Sequence, residues 1–354
     1  MRSRHAGAGT AGRGRQVVLR VDLHTHILPE AWPDLAARYG YGGWVSLEHH
    51  APCGARMMID GTLFREIKDN CWSPARRLEE CDRDGVAVQV LSTVPVMFGY
   101  WAKPEHTLDL ARLLNDHLAG VVAGHPKRFV GLGTVPLQDP ELAAAELTRC
   151  VEQLGFAGIQ IGTHVGEWNL DHPSLFPVFQ TAERLGAAIF VHPWDMLAPE
   201  RMTRYWLRWL VGMPTEAALA ICAVIFGGVL ERLPRLRIGF AHGGGAFPGI
   251  VGRLQHGFAV RPDLVATHCA KPPSAYFDRF YVDSLTHDAD ALRTLLRLHG
   301  AERVALGSDY PFPLGEVRPG SLIASMTELD ELTRARLLHG TALEFLNRRL
   351  ESFV

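Results

Sequence analysis

Eight short apolar or β-branched runs, each bounded by turn residues, punctuate the chain. They are VDLHTH (21–26), VAVQVLST (86–93), FVGLGTV (129–135), GIQIGT (158–163), AIFVHP (188–193), RIGFAHGG (237–244), FYVDS (280–284) and VALGSDY (304–310). Runs of this length and composition predict buried strands. Amphipathic segments between them predict helices. Ser73 caps one that runs to Asp84 with Pro74 in its first turn, and Asp139-Pro140 opens another that ends near Leu154. Others are predicted near 107–123, 174–185, 214–232, 288–298 and 327–350. Near-continuous apolar strands alternating with helices imply parallel pairing with both faces covered. A closed (β/α)8 barrel, the TIM type, is the simplest α/β architecture with that count, and a doubly wound open sheet is the alternative. No Pro/Gly/Ser linker or internal repeat divides the chain, so residues 18–354 are expected to form one domain. The stretch from Leu28 to Asn70, after the first strand, reads as an insertion placed as a lid or excursion over the strand ends. The leading residues are rich in Arg, Gly and Ala and lack an apolar h-region, so residues 1–17 are expected to be a disordered tail.

Composition narrows the function classes. With 354 residues, 47% hydrophobic and 21% charged, the chain has ample core for a soluble globular protein. A formal net charge of -2 and the absence of a Lys/Arg-rich block in its body argue against nucleic-acid binding. The longest apolar run, Ala217 to Leu230, is shorter than the roughly 20 residues a membrane span needs, so it reads as a core or subunit-interface helix. Six scattered cysteines without a CxxC pair disfavour a disulfide framework or a Cys-type zinc site and suit a reducing cytoplasm.

Candidate chemistry begins with His24-Thr25-His26. Side chains two apart on a strand share a face, so both imidazoles can approach one ion. Among 17 histidines about one His-x-His arises by chance. The wider pattern is more specific, because barrel chemistry sits at strand C-termini. Those ends carry His24 and His26 on the first strand, His192 on the fifth, His242 on the sixth and Asp309 on the eighth. Three histidines and one aspartate would leave an open position at a single divalent ion, as catalytic rather than structural sites do. HGGG at 242–245 is also a lipase oxyanion word, but no GxSxG elbow exists, which excludes a serine hydrolase.

This set resembles the amidohydrolase superfamily, whose barrels carry HxH on strand 1, His on strands 5 and 6 and Asp on strand 8. Longer words, among them HILPEAWPDL, LSTVPVMFGYWAKPEHTL, FVHPWDM, YWLRWLVGMP, FAHGGGAFP and GSDYPFPLGE, are similar to its aminocarboxymuconate-semialdehyde decarboxylase branch over about residues 20–348. The resemblance implies non-oxidative decarboxylation of 2-amino-3-carboxymuconate 6-semialdehyde, a step of tryptophan or nitrobenzoate breakdown. It implies one zinc ion per subunit, since GIQIGTHVGEW lacks the lysine that bridges two metals in many members. His24, His26, His192 and Asp309 would be its ligands, with Asp309 also counted beside the acid/base His242 in the catalytic set. A fifth-ligand role is the alternative for His242.

The implied substrate is a dicarboxylate, which suits forked guanidinium groups. Arg65 matches the family's substrate arginine. Arg253 resembles one donated across a homodimer interface, and Arg261 is a weaker relative. Trp194, Trp209 and Phe312 are candidate walls around the flat conjugated substrate. The competing readings are decarboxylation of an aromatic acid, metal-dependent hydrolysis of a lactone or amide, and an inactive metal-binding interaction protein. The last predicts loss of a ligand or of His242, and all are present.

Overall fold

A computed structural model describes residues 19–353, so the tail expected over residues 1–17 lies outside the described residues. Eight parallel strands follow one another around a single sheet: β1 (Val21–Ile27), β2 (Val88–Thr93), β3 (Phe129–Gly133), β4 (Gly158–Ile161), β5 (Ala188–Val191), β6 (Arg237–Phe240), β7 (Tyr281–Asp283) and β8 (Val304–Ala305). The ring closes between its last and first strands. Leu23 N–H donates to Leu306 O, Asp309 N–H to His24 O and His26 N–H to Tyr310 O, each at 2.8 Å. The predicted (β/α)8 barrel is therefore the fold.

Helices on the outside follow the capping signals. In α1 (Pro74–Asp84) the Ser73 hydroxyl accepts from Arg76 N–H, and Gly85, at φ 72°, ends the helix in the left-handed region. Then come α2 (Pro104–Gly124), α3 (Pro140–Glu152, capped by Asp139), α4 (Phe176–Leu185), α5 (Met213–Phe226), α6 (Phe247–Val260) and α7 (Ala289–His299, capped by Asp288). The helix predicted over 214–232 breaks at Gly227-Gly228. Gly228 has φ 69°, and a Cβ there would stand 2.2 Å from His268 O.

The insertion is more ordered than a lid. Val45–Ala51, Gly54–Ile59 and Thr62–Lys68 pair as a three-stranded antiparallel sheet. Asp60 and Gly61 turn the second hairpin with φ 49° and 76°, the left-handed pair that a two-residue type I′ loop requires.

One apolar cluster draws on strands all around the ring, including Leu23, Val90, Leu132, Phe190, Tyr281 and Ala305, with Phe345 and Leu346 packed against it. Phe190 meets the His24 ring edge-on at 5.1 Å between centroids, so this cluster is the floor on which the strand-end chemistry stands.

Candidate active site

All five ligand-type residues predicted at strand ends converge. His24 and His26 leave β1 on one face, and their Nε2 atoms lie 3.1 Å apart. The pairing of β1 with β2 slips between Asp22 and Thr25, a bulge at the point where His24 is presented. Asp309 Oδ1 lies 3.0 Å from His26 Nε2 and 3.4 Å from His24 Nε2. The His192 ring centroid is 5.0 Å from those of His24, His26 and His242. His242 Nε2 stands 3.8 Å from Asp309 Oδ2. Neither His242 nor Asp309 is held by regular strand. His242 opens a short turn after β6 at φ 58°, and Asp309 lies past the end of β8 at φ 57°. Both backbones sit in the left-handed region, sparsely populated for non-glycine residues.

The protons on these rings follow from their partners. His26 Nδ1 lies 3.0 Å from Thr93 O and His192 Nδ1 2.9 Å from Pro193 O. A carbonyl only accepts, so each Nδ1 carries the hydrogen and each neutral ring keeps a bare lone pair on Nε2. His192 Nε2 is buried with no hydrogen-bond partner among the described residues. His24 Nδ1 binds Asp283 Oδ2 at 2.7 Å, which leaves its Nε2 bare in the same way. Bare imidazole nitrogens that face one another beside a carboxylate repel unless a cation lies between them. The ligand atoms of His24, His192, His242 and Asp309 all fall within 4.8 Å of one another, and His26 adds a fifth. This donor set fits a divalent ion.

Electrostatics agree. Burial, reinforced by the neighbouring rings of His242, His26 and His24, holds His192 well below the usual histidine range and therefore neutral. Burial likewise lowers His26, against the pull of Asp309. Burial alone would raise Asp309, but the surrounding imidazoles of His24, His242 and His26 outweigh it and hold the carboxyl well below its ordinary value. Burial would lower His242, yet the Asp309 carboxylate beside it, helped by Asp283, leaves it raised.

Asp283 is a residue that the sequence reading passed over. At the end of β7 it accepts from His24 Nδ1, from the backbone N–H groups of His242 (2.9 Å) and Gly243 (2.8 Å), and from that of Leu285 (3.1 Å). The same inspection of strand ends that found Asp309 would have found it in FYVDS.

Above the cluster opens a cavity of about 720 Å3 lined by His26, His192, His242 and Asp309 together with Arg65, Trp194, Trp209 and Phe312. The Arg65 guanidinium lies 4.6 Å from the Phe312 ring centroid, 5.5 Å from Phe64 and 5.7 Å from Trp209. Among the described residues it has neither ion-pair nor hydrogen-bond partner, so it offers its full fork to the cavity. Arg253 is not brought there. It is exposed on α6, whose first turn does line the cavity through Pro248, Gly249 and Ile250. Arg261 pairs with Asp263 at 2.7 Å on the surface, remote from the cavity lining.

The chain belongs to the amidohydrolase family, whose profile matches residues 21–348. Within it, the chain is 60% identical over 328 residues to the 2-amino-3-carboxymuconate-6-semialdehyde decarboxylase of Dictyostelium discoideum, a match that spans 93% of this chain and 91% of that one. It is 38% identical to the enzyme of the same name from Caenorhabditis elegans, over 93% of this chain and 94% of the relative. A crystal structure of 5-carboxyvanillate decarboxylase from Novosphingobium aromaticivorans, complexed with manganese, shares the fold. Its TM-score is 0.76 at 22% identity, over 94% of this chain and 97% of that one. The resemblance carried by the residue words holds at both levels, family and decarboxylase branch.

Proposed function

We propose that this protein is a metal-dependent carboxy-lyase that converts 2-amino-3-carboxymuconate 6-semialdehyde into 2-aminomuconate 6-semialdehyde and CO2. The observation that carries the reading is the placement of a guanidinium unpartnered among the described residues, Arg65, and an imidazole, His242, on one cavity beside a cluster ready for an ion. His24, His26, His192 and Asp309 would hold the ion, and zinc suits three imidazoles and a carboxylate. One ion is the expectation, since β4 presents Gln160, tied to Ser92 and to Thr93 O, and no lysine. His26 is preferred to His242 as third imidazole because its ring is fully buried and closer to Asp309, at 3.0 Å against 3.8 Å. When bound, such an ion supplies Lewis acidity and an acidified water.

The chain's own residues account for the remaining steps. Arg65 pairs with a substrate carboxylate, and Phe312, Trp209 and Trp194 orient the conjugated plane and exclude water. His242 Nε2, held toward Asp309, delivers a proton to the carbon that bears the departing carboxylate. The C–C bond to that carboxylate then breaks, its electron pair returns to the conjugated system, and CO2 leaves. The imidazole regains its proton from water.

Arg253 would complete the dianion clamp from a second copy in a homodimer. It has no ion-pair partner among the described residues, and the π-helical turn Arg208–Gly212, α5 and α6 expose Leu210 and Val211, Leu219 and Val260 respectively. Six free cysteines suit a reducing compartment such as the cytoplasm.

Freshly prepared aminocarboxymuconate semialdehyde, incubated with purified zinc-loaded protein, should lose its ultraviolet band faster than by spontaneous cyclisation and release one equivalent of CO2. Decay at the spontaneous rate would sink the reading.

A further inference from the structure

The metal-centre reading leaves one buried charge unused. Arg77, on α1, has 0% of its surface exposed. Its Nε donates to Gln89 Oε1 at 3.1 Å, Nη1 to His26 O at 2.6 Å and Asn70 O at 3.1 Å, and Nη2 to Thr25 Oγ1 at 3.1 Å. The guanidinium carbon lies 4.7 Å from the centroid of the Tyr310 ring. Every one of these partners is neutral. Among the described residues no carboxylate oxygen comes within 4.0 Å of the charge.

Burying a guanidinium without a carboxylate costs several kcal/mol, and an apolar side chain of similar volume would avoid that cost. What distinguishes arginine here is its rigid fork, which can hold several acceptors in fixed relation. The acceptors on the strands and the stacked ring mark one place in the barrel. Thr25 and His26 belong to β1, Gln89 belongs to β2, and Tyr310 lies on the segment after β8. This is the seam where the ring closes, and it has little ladder of its own. Its backbone closure rests on the three bonds between 306–310 and β1, the Thr25–Tyr310 bridge among them, supplemented by the Asp22 carboxylate, which accepts from Ser308 N–H at 3.0 Å. The same seam carries His24 and His26 on one side and Asp309 on the other.

We infer that Arg77 is a positioning residue for the metal centre. It clamps the seam from the helix side and sets the separation between the two β1 imidazoles and the Asp309 carboxylate. The inference rests on the reading of that cluster as a metal site. Its fork reaches the His26 carbonyl and the Thr25 hydroxyl at once, and its face supports the residue that follows Asp309. A lysine would reach one acceptor and leave the rest unpaired.

The test is a zinc titration against a chromophoric chelator on full-length protein, run with Arg77→Lys beside the wild type, followed by kcat at saturating zinc. The expected result is a Kd for zinc raised by about 10–100-fold, the range for loss of an outer-shell support, and a kcat that saturating zinc does not restore. A merely structural role would lower the melting temperature of the variant with and without zinc by the same amount and leave Kd and kcat at wild-type values, which would overturn the proposal. If Arg77→Lys does not fold, Thr25→Val takes its place, with Thr25→Ser as the control that keeps the hydroxyl. The valine variant should weaken zinc binding while serine restores it, and equal affinities would again overturn the proposal. Failure of the wild type to bind zinc would instead refute the metal-centre reading on which it rests.

Discussion

Asp283 Oδ2 accepts the Nδ1 hydrogen of His24 at 2.7 Å, and the same oxygen accepts the backbone N–H of His242 at 2.9 Å. One carboxylate thus sets the tautomer of a candidate ligand and the position of the candidate acid. Asp283→Ala should weaken metal binding by about 10–100-fold, the usual cost of losing such an orienting partner. The measurement is a competition titration, and undiminished affinity would show that His24 is oriented by packing alone.

On the proposed reading His242 and His26 divide the roles of acid and ligand, and metal analysis separates them. His242→Asn should keep a stoichiometric ion while kcat falls by about 10²–10⁴-fold, the range for a general acid. His26→Asn should lose the ion. If the His242 variant arrives empty and the His26 variant loaded, the assignments must be exchanged.

Arg65 has a caged guanidinium without a partner among the described residues, and Arg253 is exposed outside the cavity. Arg65→Ala and Arg253→Ala should each be inactive as pure dimers. Mixed and re-equilibrated in equal amounts, they should recover about a quarter of wild-type activity, because half of the dimers are mixed and one site of two in each is native. A mixture as inactive as its components would confine Arg253 to the surface.

Acid stability has a second source away from the site. His299 is buried, its Nδ1 binds Phe277 O at 2.7 Å and its Nε2 has no partner among the described residues. Burial pushes this group below the usual histidine value, against the smaller pull of the Phe277 carbonyl. The unfolded chain therefore binds the proton more readily than the folded one. Stability is full above about pH 6.5 and falls as pH drops through the lowered folded value. His299→Asn, which can still donate to Phe277 O, should flatten the fall in melting temperature between about pH 7.5 and 5.5 in zinc-saturated protein. Parallel slopes would assign the acid loss to other groups.

Much of this architecture was legible in the sequence. Eight apolar runs and the caps Ser73 and Asp139 report on local backbone preference and on burial of both strand faces, and these found the barrel. His24, His26, His192, His242 and Asp309 were found because strand ends converge in a barrel whatever the loops do. The insertion reads as a lid or excursion although Asp60-Gly61 marks a hairpin, since its strands alternate weakly and one face stays exposed. Strand 8 was read too long because a positive φ at Asp309 cannot be inferred from an aspartate. Arg77 was hidden for a different reason. A charged residue on an amphipathic helix reads as solvated, and only the fold shows that it faces the seam.

The site has two poles with separate mechanical supports. The ion cluster belongs to the barrel and its seam, whereas Arg65 rides on Thr62–Lys68, the last strand of the inserted sheet. A lineage can therefore change the length or charge of that hairpin and acquire a new acid as substrate while the ion-binding chemistry is inherited intact. The insertion after the first strand is thus the part of this fold through which its decarboxylases can diversify.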